Sequence, residues 1–169
     1  MSAAAPARAW VFGDNIDTDV LAPGHLMKLA PDDLARHCLE AVNPDFAPNV
    51  RPGDVLIAGR NFGLGSSREQ AAVSLKRLGL KAVIARSFAR IFFRNAINLG
   101  LPAFAYDADL PIADGDPIAL DVPAGRLDIV NTGGVVALPA LAPALTDILD
   151  AGGLMPLLER RLKAERSAT

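Results

Sequence analysis

The chain has 169 residues, 51% apolar and 21% charged, the balance of a folded globular protein rather than a disordered one. That length is enough for one sizeable core and short for two, so a single domain over residues 1–169 is expected. A formal net charge of -2 leaves no electrostatic footprint for nucleic acid, and no basic run is interleaved with the aromatics of a single-strand binder.

Met1–Arg8 lacks a basic start followed by an apolar stretch, and no run approaches the roughly 18 apolar residues of a membrane span. A cytoplasmic protein is therefore expected. Ala9–Gly13 reads as a short strand. Asp14–Val20 is rich in Asp and Asn, which predicts an ordered loop held by side-chain-to-backbone bonds. Pro23-Gly24 marks a turn, and Pro31-Asp32-Asp33 opens a short helix with acids in its first turn. The amphipathic run Asp32–Leu39 carries His37, read as a surface or boundary residue, and Cys38, read as a plain buried or half-buried thiol. As the only cysteine, Cys38 excludes an internal disulfide and a cluster-binding set of thiolates. Asn43–Pro52, with three prolines, reads as a surface connection.

The centre of the chain alternates. Strand Val55–Ala58 leads to helix Ser67–Leu78, closed by Gly79. Strand Lys81–Ala85 leads to helix Phe88–Leu99, closed by Gly100, and strand Pro102–Tyr106 follows. Short connections and this order predict right-handed crossovers and a parallel sheet. Beyond Asp107, Pro117–Val122, Arg126–Asn131 and Val135–Leu138 read as antiparallel strands. Helices Pro143–Ala151 and Leu154–Arg166 form a C-terminal extension over about 141–166. The fold class is α/β: a parallel sheet, a smaller antiparallel β layer and outer helices.

The chemistry concentrates in Arg60–Glu69, the turn from the second strand into the first long helix. Open α/β sheets place ligands at that carboxyl edge. Gly63 and Gly65 permit a tight turn with exposed amides. Ser66 or Ser67 can cap the helix, and Ser66-x-x-Glu69 fits a reciprocal capping box. A helix start suits an anion, and Arg68 adds a planar fork matched to carboxylate. A serine at such a position is most often only a cap. Gly63-x-Gly65 lacks the third glycine of a dinucleotide site, there is no Walker lysine, and no Gly-x-Ser-x-Gly elbow is present. These residues alone support a carboxylate or phosphate held at a helix N-terminus.

Three blocks carry a resemblance: Asp14–Asp19, Asn61–Glu69, and Ser87–Asn95. In order and spacing they resemble the signature of the small-subunit family of 3-isopropylmalate dehydratase and its relatives, homologous to the swivelling domain of aconitase. The resemblance covers roughly residues 9–106, and the C-terminal third matches in general character. It implies a three-layer β/β/α swivelling domain. It also implies a hydro-lyase that isomerises or dehydrates hydroxy-di- or tricarboxylates, active only with a large subunit in a heterodimer or heterotetramer. The large subunit carries a [4Fe-4S] cluster, and this chain binds no metal. Carried over by the resemblance, Ser66 is the base that takes the proton from carbon and Arg68 binds substrate carboxylate. Gly65, Ser67, Thr18 and His25 border the substrate. Gln70 departs from the histidine usual after that glutamate.

Asp17 and Asp19 are poor contacts for an acidic substrate, so their expected role is to orient arginines or hold the loop. Ser87 is read as a helix cap, and Arg90 and Arg94, at i and i+4, as structural or interface residues. The Gly24–Lys28 loop, with His25 and Lys28, corresponds to the segment that meets the variable part of the substrate in the family. The leading expectation is 3-isopropylmalate/2-isopropylmalate isomerisation in leucine biosynthesis. The same motifs would serve homoaconitase or citraconate/2-methylmalate and 2,3-dimethylmalate dehydratases. A non-catalytic anion-binding or regulatory domain, and a nucleotide-binding module, remain as rivals.

Overall fold

The computed structural model describes residues 6–169, so the N-terminal reading of Met1–Ala5 lies outside the described residues. Seven strands form one curled sheet: β1 (Ala7–Val11), β2 (Val55–Ala58), β3 (Ala82–Ala85), β4 (Ala103–Ala105), β5 (Pro117–Asp121), β6 (Arg126–Ile129) and β7 (Gly134–Ala137). Their spatial order is β4-β3-β2-β1-β5-β6-β7. β1 is the hinge of the sheet. Its Ala9–Val11 end pairs parallel with Val55–Ile57, while Ala7 and Arg8 pair antiparallel with Ile118 and Pro117.

The two halves differ because their sequences do. β2 and β3 read Val-Leu-Ile-Ala and Ala-Val-Ile-Ala, and all eight side chains are buried, as strands covered on both faces require. β5, β6 and β7 alternate instead. Ile118, Leu120, Leu127, Ile129 and Val136 point inward, and Asp121, Arg126 and Val135 outward. The antiparallel half therefore folds over the parallel half. Val55, Ile57, Ile84 and Phe104 meet Ile118, Leu127 and Ile129 in one core. On the opposite face Trp10, Leu56, Val83, Leu75, Phe92 and Ile97 form a second core under the helices. This is the expected β/β/α layering, built as one sheet that curls back on itself. Asp54 fixes the start of β2: it is 4% exposed and accepts from the Arg8 and Arg51 amides, each at 2.9 Å, and from Trp10 Nε1 at 3.0 Å.

The described residues also form seven α-helices: α1 (Thr18–Leu21), α2 (Pro31–Ala35), α3 (Phe46–Asn49), α4 (Glu69–Arg77), α5 (Arg90–Asn98), α6 (Pro143–Asp150) and α7 (Leu154–Ser167). Four differences from the sequence reading stand out. The Asp14–Val20 loop ends early, because Asp17 caps α1 by accepting from the Val20 amide at 2.8 Å. The proline-rich Asn43–Pro52 connection contains α3, whose Phe46 is fully buried edge-on to Trp10 and Phe12.

Helices α4 and α5 each start two residues later than predicted, with Arg68 and Ala89 as extended cap residues that make no side-chain cap bond. Ser66 and Ser67 thus cap nothing, and the Ser66–Glu69 capping box does not form. Ser87 likewise does not cap α5; its Oγ accepts from the Asn61 amide at 2.8 Å. The cause is shared. The chain stays extended past the sheet edge so that neighbouring loops can bond to one another, as the Ala89 amide does with the Phe62 carbonyl at 2.9 Å. Among the described residues, no helix is long and apolar enough to cross a membrane.

Candidate active site

The carboxyl ends of β1, β2 and β3 carry three loops that are zipped together by short polar contacts. Asp14 Oδ1 accepts from the Arg60 amide at 2.7 Å, and the Asn15 amide donates to the Arg60 carbonyl at 2.8 Å. Gly63 donates to the Ile16 carbonyl at 2.7 Å and Thr18 to the Leu64 carbonyl at 2.8 Å. On the other side, the Phe62 amide donates to the Ser87 carbonyl at 3.0 Å. Asn15 and Asn61, both at φ 58°, take left-handed conformations and join side chain to side chain at 3.0 Å. The three sequence blocks that are separated along the chain are thus one contiguous surface. Beneath it, Phe62 packs against Phe88 and Phe92 with centroid separations of 5.9 and 5.1 Å.

On this platform Ser66 is solvent-exposed, and its Oγ lies 3.3 Å from Thr18 Oγ1. Two residues on, Arg68 reaches the other end of the same short helix. Its Nη1 donates to the Ala22 carbonyl at 2.8 Å and to Asp19 Oδ1 at 3.1 Å. Ala22 ends α1, so the guanidinium satisfies a carbonyl that the helix leaves unpaired. Asp19 Oδ1 also accepts from the Gly24 amide at 2.9 Å. Helix α1 is therefore the common floor of Ser66 and Arg68. Gly24 lies against the guanidinium, and the exposed His25 follows it in a tight 3-10 turn, Gly24–Leu26.

Five of the six sequence-predicted site residues, Ser66, Ser67, Gly65, Arg68 and His25, lie on the open surface or at its edge; Thr18 is 3% exposed and sits beneath Ser66. The Arg68 amide is not free for an anion: it donates to the Ser66 carbonyl at 2.8 Å. Arg90 and Arg94 are exposed on α5. Asp17 and Asp19 divide the two roles expected of them, Asp17 holding the loop as a cap and Asp19 fixing an arginine. The Ala22 carbonyl was invisible to sequence reasoning because a backbone acceptor leaves no residue-type signal. The tie between Asp14 and Arg60 was foreshadowed by an aspartate directly after a strand-ending glycine. A cavity of about 230 Å³ opens at the same sheet edge, lined by Val11, Asp14, Ile84, Arg86 and Tyr106 among others, and Ser66 and Arg68 lie outside it. Cys38 is fully buried, and burial pushes its thiol up, away from the thiolate form that metals bind.

The Gly24 amide, joined by Arg68, holds the Asp19 carboxyl below the ordinary aspartate range. For a depressed acid the tie is fully present above the unfolded-state value and is released as pH falls through the lower folded-state value. In an acid titration followed by NMR, the Gly24 amide resonance should move with a midpoint under the ordinary aspartate value of 3.8. A midpoint at or above that value would rule out the latch.

Relatives with the same architecture are known. Residues 37–108 match the aconitase C-terminal domain family. The chain is 47% identical over 149 residues to the methanogen homoaconitase small subunit of Methanothermobacter thermautotrophicus, covering 88% of this chain and 86% of that one. Identity is also 47%, over 155 residues, to the 3-isopropylmalate dehydratase small subunit 1 of Methanopyrus kandleri, covering 90% and 91% of the two chains. The crystal structure of 3-isopropylmalate dehydratase from Methanocaldococcus jannaschii superposes with a TM-score of 0.91 at 41% identity, over 96% of this chain and 98% of that one. With the curled sheet and the zipped loops, these likenesses place the chain in the family of aconitase-type small subunits, that of 3-isopropylmalate dehydratase and homoaconitase.

Proposed function

We propose that this chain, as one domain, contributes the proton-transfer half of a hydro-lyase site that acts on a malate-type hydroxy acid, with a large subunit contributing the other half. The preferred substrate pair is 3-isopropylmalate and 2-isopropylmalate, in leucine biosynthesis. The observation that carries the reading is the shared floor: Ser66 and Arg68 both rest on α1 and remain open to a ligand. Ser66 Oγ takes the proton from carbon, and the electron pair left behind forms the double bond as the hydroxyl departs from the neighbouring carbon. Arg68 clamps a substrate carboxylate with its two-point fork, its position fixed by Asp19 and the Ala22 carbonyl. Ser67 and the Gly65 backbone line the approach, and His25 borders the variable end of the substrate.

This site is half of a site. Ser66 is exposed and Arg68 half-buried at its side, and nothing among the described residues excludes water from the serine. A [4Fe-4S] cluster on the large subunit supplies the Lewis-acid chemistry that hydroxyl departure needs. In this chain the one cysteine is buried, so the thiolates for a cluster belong to the partner. Equal identity to a homoaconitase small subunit supports homoaconitate as the second substrate reading.

The test is co-expression with the large subunit, anaerobic reconstitution of its cluster, and assay on 3-isopropylmalate, homoaconitate, citraconate and 2,3-dimethylmalate. The largest kcat/KM is expected on 3-isopropylmalate. A reconstituted pair that turns over none of the four would end the hydro-lyase reading, and a preference for homoaconitate would replace the substrate.

A further inference from the structure

Thr18 is an unusual residue to find where it is. It is 3% exposed, one of only three buried polar or charged residues among those described, and the sole hydrogen-bonding contact of its hydroxyl among the described residues is Ser66 Oγ, 3.3 Å away. The backbone around it is fixed from both sides. Its amide donates to the Leu64 carbonyl at 2.8 Å, and its carbonyl accepts from the Ala22 amide at 2.8 Å. Gly65 completes the arrangement. At φ 111° it holds a conformation that side chains rarely adopt, and a Cβ there would stand 2.9 Å from Thr18 Oγ1. The bare glycine keeps clear the space through which the two hydroxyls meet.

We propose that Thr18 is a positioning residue for Ser66, holding its Oγ in register with the substrate carbon by donating a hydrogen bond to it. The inference deepens the reading of Ser66 as the carbon-proton base and rests on it. The direction of the bond follows from that role. While Ser66 carries its own proton, either hydroxyl can donate. To take the carbon proton Ser66 must give up its own, so at that stage its Oγ carries negative charge and has no proton to donate, and Thr18 is the donor until the carbon proton arrives and the charge falls. Thr18 keeps its proton throughout, and no bond to it forms or breaks. The 3.3 Å separation is long for two hydroxyls and is of the kind that tightens once charge develops on one of them. Being buried, Thr18 meets the substrate only through Ser66.

The experiment uses the reconstituted complex with its large subunit and the substrate that the wild-type pair turns over best. Thr18→Val keeps the shape and removes the hydroxyl. Thr18→Ser keeps the hydroxyl and removes the methyl. Valine should lower kcat about 10- to 100-fold, the range set by one hydrogen bond to a charged atom, with KM within about threefold. Serine should restore kcat to within about threefold of wild type. Where the valine chain fails to assemble with the large subunit, Thr18→Ala is measured against Thr18→Ser in the same way. Three outcomes would overturn the proposal: a valine variant with wild-type kcat, equal losses in the valine and serine variants, or a raised KM with kcat unchanged, which would make Thr18 a substrate contact. A complex in which Ser66→Ala keeps full turnover would remove the base assignment itself, whereas an inactive Ser66→Ala beside an unaffected Thr18→Val would remove only the role of Thr18.

Discussion

Ser66→Ala, assayed in the assembled enzyme, should lower kcat about 10²- to 10⁴-fold, the usual contribution of a positioned proton-transfer group, while KM moves by no more than about threefold. The split follows from where the hydroxyl sits. Ser66 is exposed, and its hydroxyl has one hydrogen-bonding contact among the described residues, to Thr18 at 3.3 Å, so alanine leaves the fold, the loops and Arg68 in place. Urea denaturation should show the alanine chain less stable by no more than about 1 kcal/mol, the loss of one hydrogen bond to Thr18. The size of the loss is set by how difficult it is for serine to act as a base. A serine hydroxyl, like water, holds its proton far above neutral pH, so bringing it into the working range costs on the order of 10 kcal/mol at about 1.4 kcal/mol per pH unit. A helix N-terminus offers at most about 2 kcal/mol, and α4 begins only at Glu69, three residues beyond the serine. The remainder comes from a closed, desolvated site with Arg68 and the partner's charges, or from a concerted transfer that never forms a free alkoxide. The isolated chain is therefore expected to be inactive. Turnover of Ser66→Ala within threefold of wild type would take the base role from this residue.

The parts of this site that were legible in the sequence are those in which residue type and spacing express a backbone need. Gly79 and Gly100 end their helices at φ 87° and 81°, and the period-2 alternation of Ile118, Leu120, Leu127 and Ile129 names the inner face of the antiparallel half. The three signature blocks were legible as blocks, and the zipped loops explain why they belong together. Local pattern failed where a long-range bond outranked it. Ser66, Ser67 and Ser87 are ideal cap residues by composition, yet none caps a helix, and Ser66 and Ser87 bond instead to other loops across the sheet edge. Phe46 lay unseen among prolines because a four-residue helix has no periodicity to read, and only Trp10 and Phe12, far off in the chain, reveal its burial. Arg68 was named as the carboxylate fork, but its ties to Asp19 and to the end of α1 depend on a helix that the sequence presented as loop.

Gly63→Ala should destabilise the chain by about 2–5 kcal/mol and lower its Tm by about 5–15 °C. Gly63 holds φ 83°, and a Cβ built there would stand 2.3 Å from both Cβ and Cγ of Phe92. Left-handed backbone costs a residue with a side chain roughly 1–2 kcal/mol, and overpacking a filled core typically adds about 1–3 kcal/mol. Neither side can yield. Phe92 is 2% exposed and stacked against Phe88, while the Gly63 amide is bound to the Ile16 carbonyl at 2.7 Å, so backing away unzips the β1 loop from the β2 loop. Gly133→Ala is the control, because Gly133 has φ 74° but nothing within 4 Å of its Cβ position, leaving the backbone cost alone. Chemical denaturation of both variants isolates the clash as their difference, and equal losses would exclude Phe92 as the reason for glycine here. In a Phe92→Ala background the added methyl has room, so Gly63→Ala should then cost no more than Gly133→Ala. In the assembled enzyme the same alanine should also depress turnover, since a turn forced off Phe92 carries Ser66 away from Thr18 and Arg68.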